Sequence, residues 1–413
     1  MDMLRLKEYS EPLVEYKLRD LFDKSTLKNK DGSVSNVLTN SAQYGLISQK
    51  DFFDKDIANK ENTDGYYVVG NGDFVYNPRK SSSAPFGPFN CYQGSEPGIV
   101  SPLYTVLHPK TSLNVDYLMY LFASTCWHKY VYMNGDKGAR FDRVSIKTDA
   151  FMEMPIRMPA EEEQAEIAGC LSSVDAVIAD YEAQVENMQN QKKGVMQKLF
   201  SQEVRFKADD GSEYPDWVEF SFNDGFEIMK NNTLSRDNLN YEKGQVKNIH
   251  YGDVLIKFGA IKDVRDEDVP FINTAVELKG TPLESGDIIF ADTAEDTTAG
   301  KATEVIGIKE LPAVSGLHTI PCRPIDKYAK GFLGYYFNSF SYRKQLIPLM
   351  QGTKVTSINR GNIENSKVNV PCLEEQQKIA DCLSAFDDAI ENLQNTVNHW
   401  KNIKKGLLQQ LFA

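Results

Sequence analysis

Two stretches of the chain place an apolar residue at alternating steps of four and three. The first holds Ile167, Leu171, Val174, Ile178, Tyr181, Val185, Met188, Lys192, Val195 and Leu199. The second holds Ile379, Leu383, Phe386, Ile390, Leu393, Val397, Trp400, Lys404, Leu407 and Leu411. An apolar period of about 3.5 residues keeps one seam of a helix turned toward a partner, so this spacing predicts two long helices of coiled-coil type. Glu161–Glu163 and Glu374–Glu375 stand at the starts, with Lys192–Lys193 and Lys404–Lys405 toward the ends. Both placements complement the helix dipole. Pro159 and Pro371 precede each helix and suit its entry. Some 40 residues at about 1.5 Å each predict rods of roughly 60 Å. Each seam is interrupted at the same step by a lysine, a polar intrusion that either fixes register or reaches out along the edge.

The two helices are copies of one another. Residues 159–200 lie over 371–412 without a gap, and 19 of 42 positions are identical. PAEEEQAEIAGCLSSVDAVI aligns with PCLEEQQKIADCLSAFDDAI, and KKGVMQKLF with KKGLLQQLF. The preceding segments match more weakly: Val14–Phe22 with Val218–Phe226, Gly72–Tyr76 with Gly286–Phe290, and Val100–Thr105 with Val314–Thr319. The chain is therefore an internal duplication. Its expected segments are a variable domain (1–158), a helix (159–207), a second variable domain (208–370) and a second helix (371–413). Within the variable domains, YYVVG, DFVYNP, GIVSPLYTVLHP, DVLIKFG, GDIIFADT and HTIPCRP read as short strands bounded by turn residues. Val115–Tyr130 and Lys330–Pro348 read as helices. The expected class is α+β: two similar domains, each a curved sheet plus short helices, separated by two long antiparallel coiled-coil helices.

Composition changes this picture little. The net charge of −12 is spread out: residues 1–158 are neutral, with 19 basic and 19 acidic side chains, and later segments carry the excess. Sequence-specific nucleic-acid binding needs a local cationic face rather than a basic total. No apolar run is long enough to span a membrane, and the first residues lack the core of a signal peptide. The six cysteines are scattered without a CxxC pair. A reduced, cytoplasmic protein without structural zinc is expected.

Catalytic signatures are missing. The sequence has no phosphate-binding GxxxxGK[ST], no HExxH, no GxSxG and no Asn/Asp-Pro-Pro-aromatic tetrapeptide. It offers instead two pairs of polar, donor-rich loops at matching places. Asn77–Ser83 follows GDFVY, and Ala291–Lys301 follows GDIIF; Asn134–Ser145 and Gln351–Asn362 precede the helices. Arginine, lysine, asparagine and hydroxyl side chains donate to phosphates and read base edges. Candidate DNA contacts are thus Arg79, Lys80, Ser82, Lys137, Arg140 and Arg143 in the first copy. Thr297, Thr298, Lys301, Lys354, Thr356, Asn359 and Arg360 are their counterparts in the second. Apolar residues outside the seams, notably Met196 and Leu408, suggest a docking face.

The repeated P-x-x-EEQ-x-x-IA-x-CLS-x-x-D-x-x-I…KKG-x-x-Q-x-LF resembles the conserved regions of Type I restriction–modification specificity subunits. The resemblance implies a non-catalytic chain in which each variable domain recognises half of an interrupted duplex target. It further implies that the paired helices space the domains and dock two methyltransferase subunits. S-adenosylmethionine, ATP and magnesium would belong to those partners and to the restriction (translocase–nuclease) subunits, with no cofactor in this chain. Two other classes are the alternatives: a coiled-coil scaffold without DNA, and a self-contained restriction–methylation enzyme, against which the missing methylase tetrapeptide weighs.

Overall fold

The computed structural model describes residues 9, 11–49, 63–110, 113–136, 142–273, 279–308, 311–352 and 355–412. The heptad stretches form unbroken helices, Glu161–Phe200 and Leu373–Leu411. All twenty seam positions named above are buried or half-buried. By packing, each of two compact units takes in part of both helices. One compact unit joins Met1–Glu182 to Asn395–Ala413, and the other is Ala183–Gln394.

In the first unit, strand Val14–Lys17 pairs antiparallel with Pro155–Met158, which leads directly into the long helix. A four-stranded antiparallel sheet follows, in the order Phe22–Lys24, Thr105–Pro109, Phe74–Tyr76, Phe89–Cys91. Its core is closed by both long helices. Ile167 and Leu171 come from the start of one, and Leu411 and Phe412 from the end of the other, with the Phe412 ring 5.3 Å from Tyr117. Asp175 bonds Lys404 at 2.6 Å and Glu182 bonds Lys401 at 2.7 Å, so the two segments run antiparallel.

The second unit repeats the plan. Val218–Ser221 pairs with Lys367–Val370 before the second long helix. The sheet order is Phe226–Ile228, Thr319–Pro324, Ile288–Ala291, Ala302–Ile306, extended by a parallel edge strand, Ile261–Asp263. Leu199 and Phe200 fill its core beside Ile379 and Leu383, with Phe200 5.7 Å from Tyr336. Fully burying such a side chain contributes about 1.5–3 kcal/mol, so the Leu-Phe end of each helix is a substantial part of its core.

Three local expectations are corrected. DVLIKFG is helical over Tyr251–Ile256: His250 accepts a hydrogen bond from Gly252 N at the N-cap, and Asp253 sits in the first turn. The helix expected over 115–130 breaks at Ser124, where the Ser124 hydroxyl donates to Leu121 O at 2.6 Å and restarts the chain as His128–Asn134. Likewise 330–348 is three short pieces, Phe332–Asn338, Phe340–Arg343 and Ile347–Leu349, the second capped by Ser339. In each case a side-chain cap outweighs the apolar pattern.

Candidate nucleic-acid interface

In each unit the two matched loops meet as a short antiparallel ladder. In the first unit Arg79 lies opposite Arg143, Lys80 N donates to Asp142 O at 2.9 Å, and Val144 N donates to Pro78 O at 2.8 Å. In the second unit Thr293 lies opposite Ser357 and Ala294 opposite Thr356, and Ile358 N donates to Asp292 O at 2.8 Å. The correspondence is residue for residue. Each ladder begins just beyond the strand that follows the repeated Gly-Asp and uses main-chain bonds, leaving its side chains free to differ.

They do differ. The first ladder carries two arginines and a lysine; the second carries hydroxyls. Arg79 and Lys80 are exposed. Arg143 is half-buried, 3.8 Å from Asp142, and its buried Nε makes no hydrogen bond. Ser82 is exposed at the tip of the 81–84 turn. Two glycines allow these loops to close. At Gly87 (φ 85°) an added Cβ would stand 2.0 Å from Asn77 O, and at Gly352 (φ 112°) 1.9 Å from Val355 O.

Several second-copy candidates are engaged internally. Lys301 is no open contact: its Nζ donates to Leu255 O at 2.8 Å, and burial lowers its pKa. The Asn359 side chain caps the helix Arg360–Glu364 in a reciprocal box with Asn362. Thr298 is exposed, but its hydroxyl donates to Asp296. Thr297 is exposed, with its carbonyl held by Arg343 Nη2. Thr356 is half-buried in the ladder, and Arg360 reaches Asn231 Oδ1 at 3.3 Å on the surface. Lys137, Arg140 and Lys354 lie outside the described residues. Thr293 and Ser357 were missed by sequence reasoning, because only the fold sets these loops side by side. Arg343, which pins the 297–299 backbone, gave no signal at all.

The two docking candidates lie at the helix ends. Met196 and Leu408 are half-buried and pack against the cores of their respective units. Each directly follows a seam residue, Val195 or Leu407.

The lysines that interrupt the seams have matched partners. Lys192 is ion-paired with Asp387 and lies 5.0 Å from the centre of the Tyr335 ring, while Tyr335 donates to Asp387 at 2.7 Å. Lys404 is paired with Asp175 and lies 5.4 Å from the Tyr120 ring, while Tyr120 donates to Asp175 at 2.8 Å. Burial, with the neighbouring carboxylate, holds both phenols above their ordinary pKa and keeps them as donors. The repeated Glu-Glu-Gln has an equally structural basis. Gln164 and Gln376 each donate to the carbonyl of the proline five residues earlier, both at 2.9 Å. Glu375 is fully buried and receives Arg205 and Trp217.

The family described as Type I restriction modification DNA specificity domain matches residues 11–188 and 214–399, nearly the whole of both repeats. The chain belongs to that family. Among its relatives is the Type I restriction enzyme MjaVIII specificity subunit of Methanocaldococcus jannaschii, 28% identical over 76% of this chain and 74% of that one. The MjaIX specificity subunit of the same organism is 25% identical over 73% of this chain and 69% of that one. A chain solved in work on the structural basis of complex assembly and conformational transition of the type I R-M system covers 98% of each chain, with a TM-score of 0.58 and 14% identity. That likeness is one of fold: two similar α+β units with paired long helices. Among the described residues there is no metal-binding cluster of His, Cys, Asp and Glu, and no helix long and apolar enough to cross a membrane.

Proposed function

We propose that this chain is the DNA-reading subunit of a Type I restriction–modification enzyme, each unit recognising one half of an interrupted duplex target. The support is the duplicated ladder: one backbone frame displayed twice, with arginines and a lysine in one copy and hydroxyls in the other. Arginine reads guanine O6 and N7, whereas hydroxyls accept or donate to several bases. Two such surfaces would recognise unrelated half-sites, and the family membership favours DNA as their ligand.

The chain is proposed to act without a cofactor of its own and without catalysis. Methyl transfer with S-adenosylmethionine, and ATP- and magnesium-dependent translocation and cleavage, are assigned to two methyltransferase subunits and to restriction subunits. The methyltransferases are proposed to dock on the helices, with the half-buried Met196 and Leu408 as candidate contacts. A cytoplasmic setting fits the six free cysteines, of which Cys91 is pushed up to about 12 by burial.

The deciding experiment co-expresses the chain with the methyltransferase subunit of its own system and sequences the methylated positions. A bipartite motif with a fixed unread gap, lost when this chain is omitted, is the expected result. Methylation independent of the chain would remove the assignment. Methyl transfer by the chain alone would make it an enzyme, and partner binding without DNA retention under heparin competition would leave it a scaffold.

A further inference from the structure

The repeated motif Val314–Thr319 is not explained by the ladder. In the second unit it forms the turn between strands Ala313–Ser315 and Thr319–Pro324, with His318 at its tip. His318 has φ 55°, a left-handed conformation that residues with a Cβ seldom adopt. Its side chain is 48% exposed, yet it is held on two sides. Nδ1 lies 3.2 Å from Asp292 Oδ1, and the ring meets Tyr251 edge-on at 5.3 Å between centroids. The His318 carbonyl also accepts from Asp292 N at 3.0 Å. Asp292 immediately precedes Thr293 and accepts from Ile358 N, so His318 is tied to the second ladder through one residue. Beyond Tyr251 the line continues to His250, 4.7 Å between ring centroids, and to Arg236, whose Nη2 is 3.3 Å from His250 Nδ1.

We propose that His318 is a specificity-determining residue of the second unit, accepting through Nε2 a hydrogen bond from the amino group of an adenine or cytosine in the major groove. This rests on the DNA-reading role proposed above. A carboxylate only accepts, so Asp292 requires the proton on Nδ1, and the neutral ring then presents Nε2 as an acceptor. The amino donors of the major groove are adenine N6 and cytosine N4. Phosphates accept from many donors, cationic, hydroxyl, amide and backbone N–H, whereas a ring nitrogen that accepts and is immobilised on strained backbone suits a directional contact with a base donor. The described ladder residues beside it, Thr293, Ala294, Thr356 and Ser357, carry no charge. Asp292 is a positioning residue: its Oδ1 faces His318 Nδ1 and also accepts from the Thr293 hydroxyl at 2.7 Å.

The test is the methylated-motif measurement, made with the chain carrying His318→Gly in the complete complex. Glycine accepts φ 55° without strain, so the ring is deleted while the turn is kept, and the melting temperature should hold or rise. Discrimination at one base position of one half-site should relax roughly tenfold, with the other half-site unchanged. Asp292→Asn, which permits either tautomer, should relax the same position and leave the other half-site unchanged. A motif unchanged in both halves by His318→Gly would overturn the proposal. So would a uniform loss of methylation at all sequences, which marks a backbone anchor. Failure of the unsubstituted complex to methylate any bipartite motif would instead overturn the DNA-reading role itself.

Discussion

Arg79 and Arg143 face each other across a ladder held by main-chain bonds, so their side chains can be removed without unmaking it. Alanine at both positions should weaken DNA binding by the assembled complex while its melting temperature stays put. If either arginine reads a guanine, discrimination at that base should fall by roughly 1–3 kcal/mol; a phosphate anchor would instead flatten the salt dependence. Competition binding at two salt concentrations separates these outcomes, and unchanged binding would make the first ladder a bystander. Glu304 makes a prediction of another kind. Its carboxylate is buried against Gly331 N and Gly334 N, at 2.7 and 3.2 Å, and burial pushes its pKa up from 4.5 to about 6. The folded chain therefore holds this proton more tightly than the unfolded chain. Its contribution is fully present below the unfolded value and is lost as pH rises to about 6, a change of about 2 kcal/mol. Glu304→Gln should flatten the pH dependence of unfolding in that window. An unaltered slope would show the carboxyl to be better solvated than its surroundings indicate.

The elements that carry the duplication were legible because a long amphipathic helix repeats its signal ten times over, and every seam position is covered in the structure. What each helix end packs against was not legible: Met196 and Leu408 look surplus on a two-stranded seam but pack against a core. The strand-like DVLIKFG failed for a related reason, since a single histidine cap decided between two periods in six residues. Similarly, the matched loops could be paired between copies by sequence, but not joined within a copy, because Arg79 and Arg143 are brought together only by the sheet. The seam lysines now have a definite role as members of Lys–Asp–Tyr sets. Asp175→Ala or Asp387→Ala strands a half-buried ammonium against a tyrosine. The cost should be only roughly 1–2 kcal/mol, because the carboxylates are 39% and 45% exposed. Thermal unfolding of the two variants should show equal losses. By contrast Leu411→Ala, although close to the chain end, should cost about 2–5 kcal/mol, because it opens a cavity in the first core.

At the scale of the whole molecule, the first unit takes its closing helix segment from the second repeat, and the second unit from the first. The two closing ends are near-copies, KKGVMQKLF and KKGLLQQLF. A half-length chain of residues 1–207 therefore carries a suitable plug but has to insert it into another molecule. It should form a homodimer in solution, detected by light scattering and weakened by Leu199→Ala with Phe200→Ala; a stable monomer would contradict the equivalence of the plugs. The same equivalence reaches into heredity. Because the 42-residue frames align without a gap, a crossover between two genes that share this frame, anywhere inside it, rejoins in phase and restores the seam with its lysine and aspartate and the Leu-Phe plug. If each unit reads one half-site as proposed, a lineage would exchange one recognition half while keeping the other, and acquire a new target in one recombination event rather than through a series of point mutations.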